Sequence, residues 1–275
     1  MSDRVASLAD VRTLLMDMDG VVYFEDAILP HVREFLAFLR REGIKFAFVT
    51  NGTGRWPEEH RADLAARGID VGDAPIYTAG LAAADYLTRF PGARVYVIGE
   101  EGLRRQLVEV GGCVLEDQRP DFVVIGWTDD FDYRQLLTAC RAIYRGAKLI
   151  VADPDVNDPS PDGPTPGSGA FAAAIQAATG ASALAIGKPN RILFDMALRD
   201  MGAAVESSAI LGDRLDSDIR GGLEVGMGTI LVLTGIASLE MVEKSPFKPD
   251  WVVRDLEELH ARWLEAIAQS AATTC

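Results

Sequence analysis

Short apolar runs alternate with amphipathic stretches along the whole chain. The runs that read as strands are Thr13–Asp17, Lys45–Thr50, Arg94–Ile98, Asp121–Ile125, Lys148–Ala152, Leu184–Ile186, Ala209–Asp213 and Thr229–Leu233. Most are continuous rather than alternating, as expected of parallel strands covered on both faces. Between them, HVREFLAFLRREG (His31–Gly43) and RILFDMALRDMG (Arg191–Gly202) repeat apolar residues at helical spacing, and each stops at a glycine. LEELHARWLEAIAQ predicts a last helix followed by a loose tail. The alternation predicts an α/β protein with mainly parallel sheets. One stretch breaks the rhythm: DPDVNDPSPDGPTPGSG, Asp153 to Gly169, whose length and Pro/Gly/Asp content suggest a functional or hinge segment.

With 275 residues the chain exceeds what one core ordinarily uses, so two domains are expected. No apolar run approaches the ~18 residues that would span a membrane, and MSDRVASLADVR has no apolar segment of the secretory kind. Cys113, Cys140 and Cys275 follow neither metal nor disulfide spacing, which fits a reducing cytoplasm. A net charge of −14 argues against nucleic acid or an anionic membrane as partner. Any anionic substrate must therefore be held by local devices such as a metal ion, a lysine or backbone N–H groups.

Four places could supply them. Asp17 and Asp19 close the first strand, and residues two apart on a strand face the same side. Two carboxylates so placed are costly without a cation, and oxygen ligands near phosphate suit Mg²⁺. The plain alternative is a loop cap beside a solvated acid. Thr50-Asn51-Gly52 ends the second strand with a hydroxyl, successive N–H groups and a glycine, which can cradle phosphate or simply turn the chain. Lys188 follows a short apolar run and Gly187 and precedes a helix, as a point charge for phosphate or as an ordinary surface lysine. Asp213 ends another apolar run, with Asp216 and Asp218 just beyond it where helix caps also occur. Together the four weigh against the plain readings, because all could converge on one edge of one sheet, where open α/β sheets bind ligands.

The sequence resembles the haloacid-dehalogenase-like (HAD) hydrolase superfamily. The residues that carry the resemblance are DMDGV (Asp17–Val21), TNG (Thr50–Gly52), GKP (Gly187–Pro189) and GDRLDSDI (Gly212–Ile219), in order over nearly the whole chain. ADPD (Ala152–Asp155), PTPGSGAFAAAI (Pro164–Ile175) and ILVLTG (Ile230–Gly235) are similar to the NagD-like or p-nitrophenylphosphatase branch. Gly52 stands where that branch often has Asn, and Ser217 where it often has Thr. The resemblance implies a Rossmann-like core at 1–78 and 184–275, with an inserted α/β cap at 79–183.

It further implies a Mg²⁺-dependent phosphatase of a small phosphorylated metabolite, such as a nucleotide, sugar phosphate, phosphoglycolate or aryl phosphate. Asp17 would be the nucleophile, Asp19 the general acid and base, and Lys188 the charge stabiliser. Thr50 and the N–H groups of Asn51 and Gly52 would hold phosphate. Asp17, the Asp19 carbonyl and Asp213 would bind Mg²⁺, supported by Asp218, while Asp216 is expected to be solvated. Asp153 and Asp155 are expected to face the substrate from the cap, and a homodimer through the cap is implied. Trp56, Trp127 and Phe131 could stack on a ring or simply pack. A phosphotransferase or mutase with the same aspartyl-phosphate, and a protein that senses phosphate or Mg²⁺ without turnover, are the alternatives. A dinucleotide site at Gly167–Gly169 is not supported, because the glycines do not directly follow a strand.

Overall fold

The structure, a computed structural model, describes residues 4–24, 27–158 and 163–274. Residues 159–162 of the long Pro/Gly stretch, and Cys275, lie outside the described residues. Two compact units form: one from the chain up to Thr50, His60–Ile76 and the chain from Phe194, the other from Asn51–Glu59 and Tyr77–Leu193.

The first unit is built on a six-stranded sheet in the order Trp251–Val253, Gly228–Val232, Ser208–Gly212, Thr13–Met16, Lys45–Thr50, Ile76–Thr78. Thr13–Met16 runs parallel to both neighbours, with Met16 level with Leu211 on one side and Phe48 on the other. Thr13–Met16, Ser208–Gly212 and Gly228–Val232 are buried at every position, which is why their sequences do not alternate. Helix Val32–Arg41 buries Val32, Phe35, Leu36, Phe38 and Leu39. Phe35 and Phe38 meet Trp263 of the last helix with ring centroids 6.1 and 5.9 Å apart. That helix runs Leu256–Thr274, so the loose tail expected after Gln269 is instead helical. Ser270–Thr274 contains two alanines and no Gly or Pro, and nothing there stops a helix already formed.

The second unit has its own sheet, ordered Ala183–Ala185, Lys148–Val151, Phe122–Ile125, Arg94–Ile98, Val114–Leu115, with every neighbouring pair parallel. Helices Tyr133–Tyr144 and Ser168–Thr179 pack over a core that includes Val123, Ile125, Leu149, Ala172 and Ile175. Asp132 opens the first of these helices with a capping box, its side chain accepting the Gln135 N–H while Gln135 reaches back. Within the Pro/Gly stretch, Asn157–Asp158 pairs antiparallel with Thr165–Pro166. The α/β class with mainly parallel sheets is borne out in both units.

Candidate functional site

The carboxyl edge of the first unit's sheet carries three buried carboxylates. Asp17 follows Met16, and its N–H still donates to the Leu211 carbonyl at 2.8 Å, so its backbone is held in line with the strand. Asp213 follows Gly212 on the neighbouring strand, and the parallel register brings both residues to one edge. Asp218 comes from a single π-helical turn, Leu215–Ile219, where its carboxylate accepts the Arg214 N–H at 3.1 Å. One carboxylate oxygen from each of Asp17, Asp213 and Asp218 lies within 4.8 Å of the others, and all three residues are buried.

Backbone N–H groups support the cluster: Met18 donates to Asp17 at 2.8 Å and Ile236 to Asp213 at 2.7 Å. Backbone bonds of this kind offset only part of the cost of holding three like charges away from water. The set fits a hard divalent cation, being all oxygen, buried and anionic. Glycines make the approach possible. A Cβ on Gly20 or Gly235 would overlap the Asp213 carboxylate, and one on Gly212 would overlap Asp218. Gly20 also has φ +71°, a conformation other residues adopt only under strain. Gly20→Ala is therefore expected to cost about 1–3 kcal/mol of stability. It should also weaken divalent-cation binding, both read from thermal melts with and without Mg²⁺. A melt and a Mg²⁺ response identical to the parent's would contradict this account of Gly20.

Asp19 differs from Asp17. It lies beyond the strand and is exposed, with Tyr23 Oη donating to its Oδ2 at 3.5 Å. The simple picture of two strand neighbours facing one side therefore holds only in part: the strand has ended at Met16, and the chain turns between the two acids. Thr50 ends the adjacent strand and is buried. Asp216 is solvated, its side chain 71% exposed beside Arg214.

In the second unit the expected lysine is deeply buried, at 2% exposure. It was expected on the same sheet edge as Asp17 and Asp213. Instead it follows Ala183–Ala185, which pairs with Leu149–Val151 of the other sheet. Ile186 and Gly187 continue that pairing by donating to Val151 and Ala152 carbonyls at 3.0 and 2.8 Å. Asn51 then meets Lys188 directly: its Oδ1 accepts the Lys188 N–H at 2.7 Å and its Nδ2 donates to the Lys188 carbonyl at 3.0 Å. The same Nδ2 lies 3.0 Å from Asp155 Oδ2. This side-chain role of Asn51 was not legible in the sequence, where only its backbone N–H was singled out.

Asp153 is buried and bonded within its own loop, accepting the Asp155 N–H at 3.0 Å and the Ser168 hydroxyl at 3.3 Å. Burial, then the neighbouring Asp155 charge, pushes its carboxyl well above the usual range. Asp153 therefore organises the loop from inside. Gly167 and Gly169 sit against the backbone of Asp155 and Pro154, where a side chain would not fit, and this accounts for the glycine pair. Among the aromatics, Phe131 stacks on Phe171 at 4.4 Å, and Trp56 lies beneath Arg105 at 5.4 Å. Trp127 is 37% exposed, while its backbone N–H donates to Thr53 Oγ1 at 2.9 Å.

Comparison with known proteins gives this arrangement a context. A haloacid dehalogenase-like hydrolase model matches residues 14–113, and a second HAD-hydrolase-like model matches 185–259. A dihydroxyacetone phosphatase of Corynebacterium glutamicum is 36% identical over 258 residues, 94% of each chain. The chain belongs to the haloacid dehalogenase-like hydrolases. An acid sugar phosphatase of Staphylococcus aureus is also 36% identical, over 90% of this HAD hydrolase and 96% of that protein. Among solved structures, a 4-nitrophenylphosphatase of Thermotoga maritima superimposes with TM-score 0.88 at 36% identity, covering 92% of this chain and 98% of its own. NagD of Escherichia coli does so with TM-score 0.83 at 32% identity, covering 90% and 98%. The resemblance to the NagD-like and nitrophenylphosphatase branch is thus borne out. The sequence motifs of this HAD hydrolase that end strands, DMDGV and GDRLDSDI, are the ones that supply the carboxylate cluster.

Proposed function

We propose that this HAD hydrolase is a Mg²⁺-dependent phosphatase of small phosphorylated metabolites, working through a phosphorylated Asp17. The observation that carries the reading is the buried cluster of Asp17, Asp213 and Asp218 at the carboxyl edge of a parallel sheet. Its relatives named for dihydroxyacetone, sugar and nitrophenyl phosphates favour sugar and triose phosphates as the substrate class.

In this reading an Asp17 oxygen attacks phosphorus as the bond to the leaving oxygen breaks, and the Asp19 carboxyl protonates that oxygen. Asp19, now a carboxylate, takes a proton from water as the water attacks the aspartyl-phosphate. The Asp17–phosphorus bond breaks, and inorganic phosphate leaves. Splitting the transfer this way divides one hard displacement into two easier ones. Thr50 and the N–H groups of Asn51 and Gly52 hold the phosphoryl oxygens, and Lys188 neutralises charge that spreads over them in transfer. Mg²⁺ held by Asp17, Asp213 and the Asp19 carbonyl, with Asp218 in support, would offset the repulsion between an anionic nucleophile and an anionic ester. Residues 79–183 act as a cap that excludes water and selects the leaving group, with Asp155 contributing to that selection. We place the protein in the cytoplasm, without nucleic-acid or membrane partners and as a homodimer through the cap. Among the described residues no helix is long and apolar enough to cross a membrane.

The test is turnover of p-nitrophenyl phosphate and dihydroxyacetone phosphate by the purified protein. EDTA should abolish both activities and added Mg²⁺ should restore them. Undiminished turnover in EDTA would remove the metal from the mechanism. With Mg²⁺ present, no turnover across a panel of sugar, triose, nucleotide and aryl phosphates would remove the phosphatase reading.

A further inference from the structure

Lys188 is buried at the end of a short strand, and a flexible four-carbon side chain is only as well aimed as its backbone. What fixes that backbone is a side chain distant in sequence. Asn51 bonds both backbone polar groups of Lys188, its N–H at 2.7 Å and its carbonyl at 3.0 Å, as a neighbouring strand would. Asp155 sits 3.0 Å from the remaining face of the same carboxamide. The chemistry fixes the orientation of the amide. The Lys188 N–H can only donate, so the Asn51 oxygen must face it, and the Asp155 carboxylate lies where the Asn51 –NH₂ must then be. Gly187 completes the fit, since a Cβ there would lie 2.5 Å from Asn51 Oδ1 and 2.8 Å from the Ala152 carbonyl. No other natural side chain offers one acceptor and two donors on so short a stem.

We infer that the Asn51 carboxamide, oriented by Asp155, is a positioning residue that aims Lys188 by clamping its backbone. The inference rests on the phosphatase reading, in which Lys188 neutralises the transferring phosphoryl group. Asn51 in this role acts through Lys188 and contributes through transition-state charge rather than ground-state binding.

A double-mutant cycle tests it, with p-nitrophenyl phosphate turnover of the Mg²⁺-loaded full chain as readout. Lys188→Ala is expected to lower kcat by roughly 10²–10³. Asn51→Ala should lower kcat by about 10–10², the scale of a misplaced catalytic group, with little change in KM. In the Lys188→Ala background, Asn51→Ala should cost no more than about threefold further, because its effect is already lost. Asn51→Asp should be at least as impaired as Asn51→Ala, since a second carboxylate would face Asp155 and the Lys188 carbonyl. Adding Asp155→Asn to Asn51→Asp should recover part of the loss by restoring a donor–acceptor pair. Losses that multiply across the cycle, or a full kcat in Asn51→Ala beside an inactive Lys188→Ala, would overturn the inference alone. Full activity in Lys188→Ala would overturn the assigned role of Lys188 as well. If Asn51→Ala does not fold, Asp155→Asn and Asp155→Ala carry the test. Both remove the Asp155 charge, but the first keeps an acceptor for Asn51 and should retain several-fold more kcat than the second, and equal kcat in both would overturn the inference.

Discussion

Asp17→Asn is expected to lose turnover by roughly 10⁴–10⁶-fold, the scale seen when a nucleophile is removed from an assembled site. It should do so while remaining folded. The replacement is nearly isosteric, and its Oδ1 can still accept the Met18 N–H now bound at 2.8 Å. The stability change separates this from ordinary damage. Asp17, Asp213 and Asp218 place three carboxylates within 4.8 Å in a buried setting. Neutralising one relieves repulsion when no cation is present, so the metal-free variant should melt higher than the metal-free parent. With Mg²⁺ the order should reverse, because the parent gains from binding what the variant no longer gains. Calorimetry in EDTA and in Mg²⁺, beside a turnover assay, reads both. A variant that retains more than about a tenth of its turnover would rule out Asp17 as the nucleophile, since removing one costs orders of magnitude. A metal-free variant that melts lower than the parent would show that the cluster is not held against its own charge.

The parts of this molecule that sequence reading reached share one property: their cause is local. A strand buried on both faces must be apolar along its length, so Thr13–Met16, Ser208–Gly212 and Gly228–Val232 are visible as runs, and the acid after each of the first two is conspicuous. Ile76–Thr78, Val114–Leu115 and Trp251–Val253 were not visible, because two or three residues at a sheet edge carry too little pattern to separate from loop. The site divides the same way. Asp17, Asp213 and Asp218 follow from strand ends and motif order. The clamp on Lys188 does not, since its partners lie 137 and 104 residues apart in sequence and meet only through tertiary packing. The burial of Asp153 is hidden from the sequence for a related reason. Pro/Gly/Asp content suggests a functional or hinge segment, and does not show that close-packed glycines fold it onto itself and draw the Asp153 carboxyl inside. Lys188 was assigned to the wrong sheet because a three-residue strand is equally compatible with either one until its register with Leu149–Val151 is seen.

Asp19→Asn should produce a loss that depends on the leaving group, and this dependence is the more informative result. Asp19 is exposed and stands two residues beyond Asp17, where Tyr23 Oη reaches its carboxylate at 3.5 Å. As general acid it would protonate the departing oxygen, a contribution of about 10²–10⁴ for an alcohol that leaves poorly as an alkoxide. Nitrophenolate is a stable anion and needs no proton to depart. For kcat/KM, which reports steps through formation of the phosphorylated enzyme, dihydroxyacetone phosphate should therefore suffer roughly 10²–10⁴-fold and p-nitrophenyl phosphate far less. For kcat the two substrates should converge, because in the proposed mechanism both pass through the same aspartyl-phosphate and both need Asp19 to activate the water that cleaves it. Rapid mixing should then show a burst of nitrophenolate from the variant, equal to the enzyme concentration, followed by slow turnover. Equal losses in kcat/KM for the two substrates, with no burst, would mean that Asp19 does not carry the proton, and the acid would have to be sought elsewhere in the site.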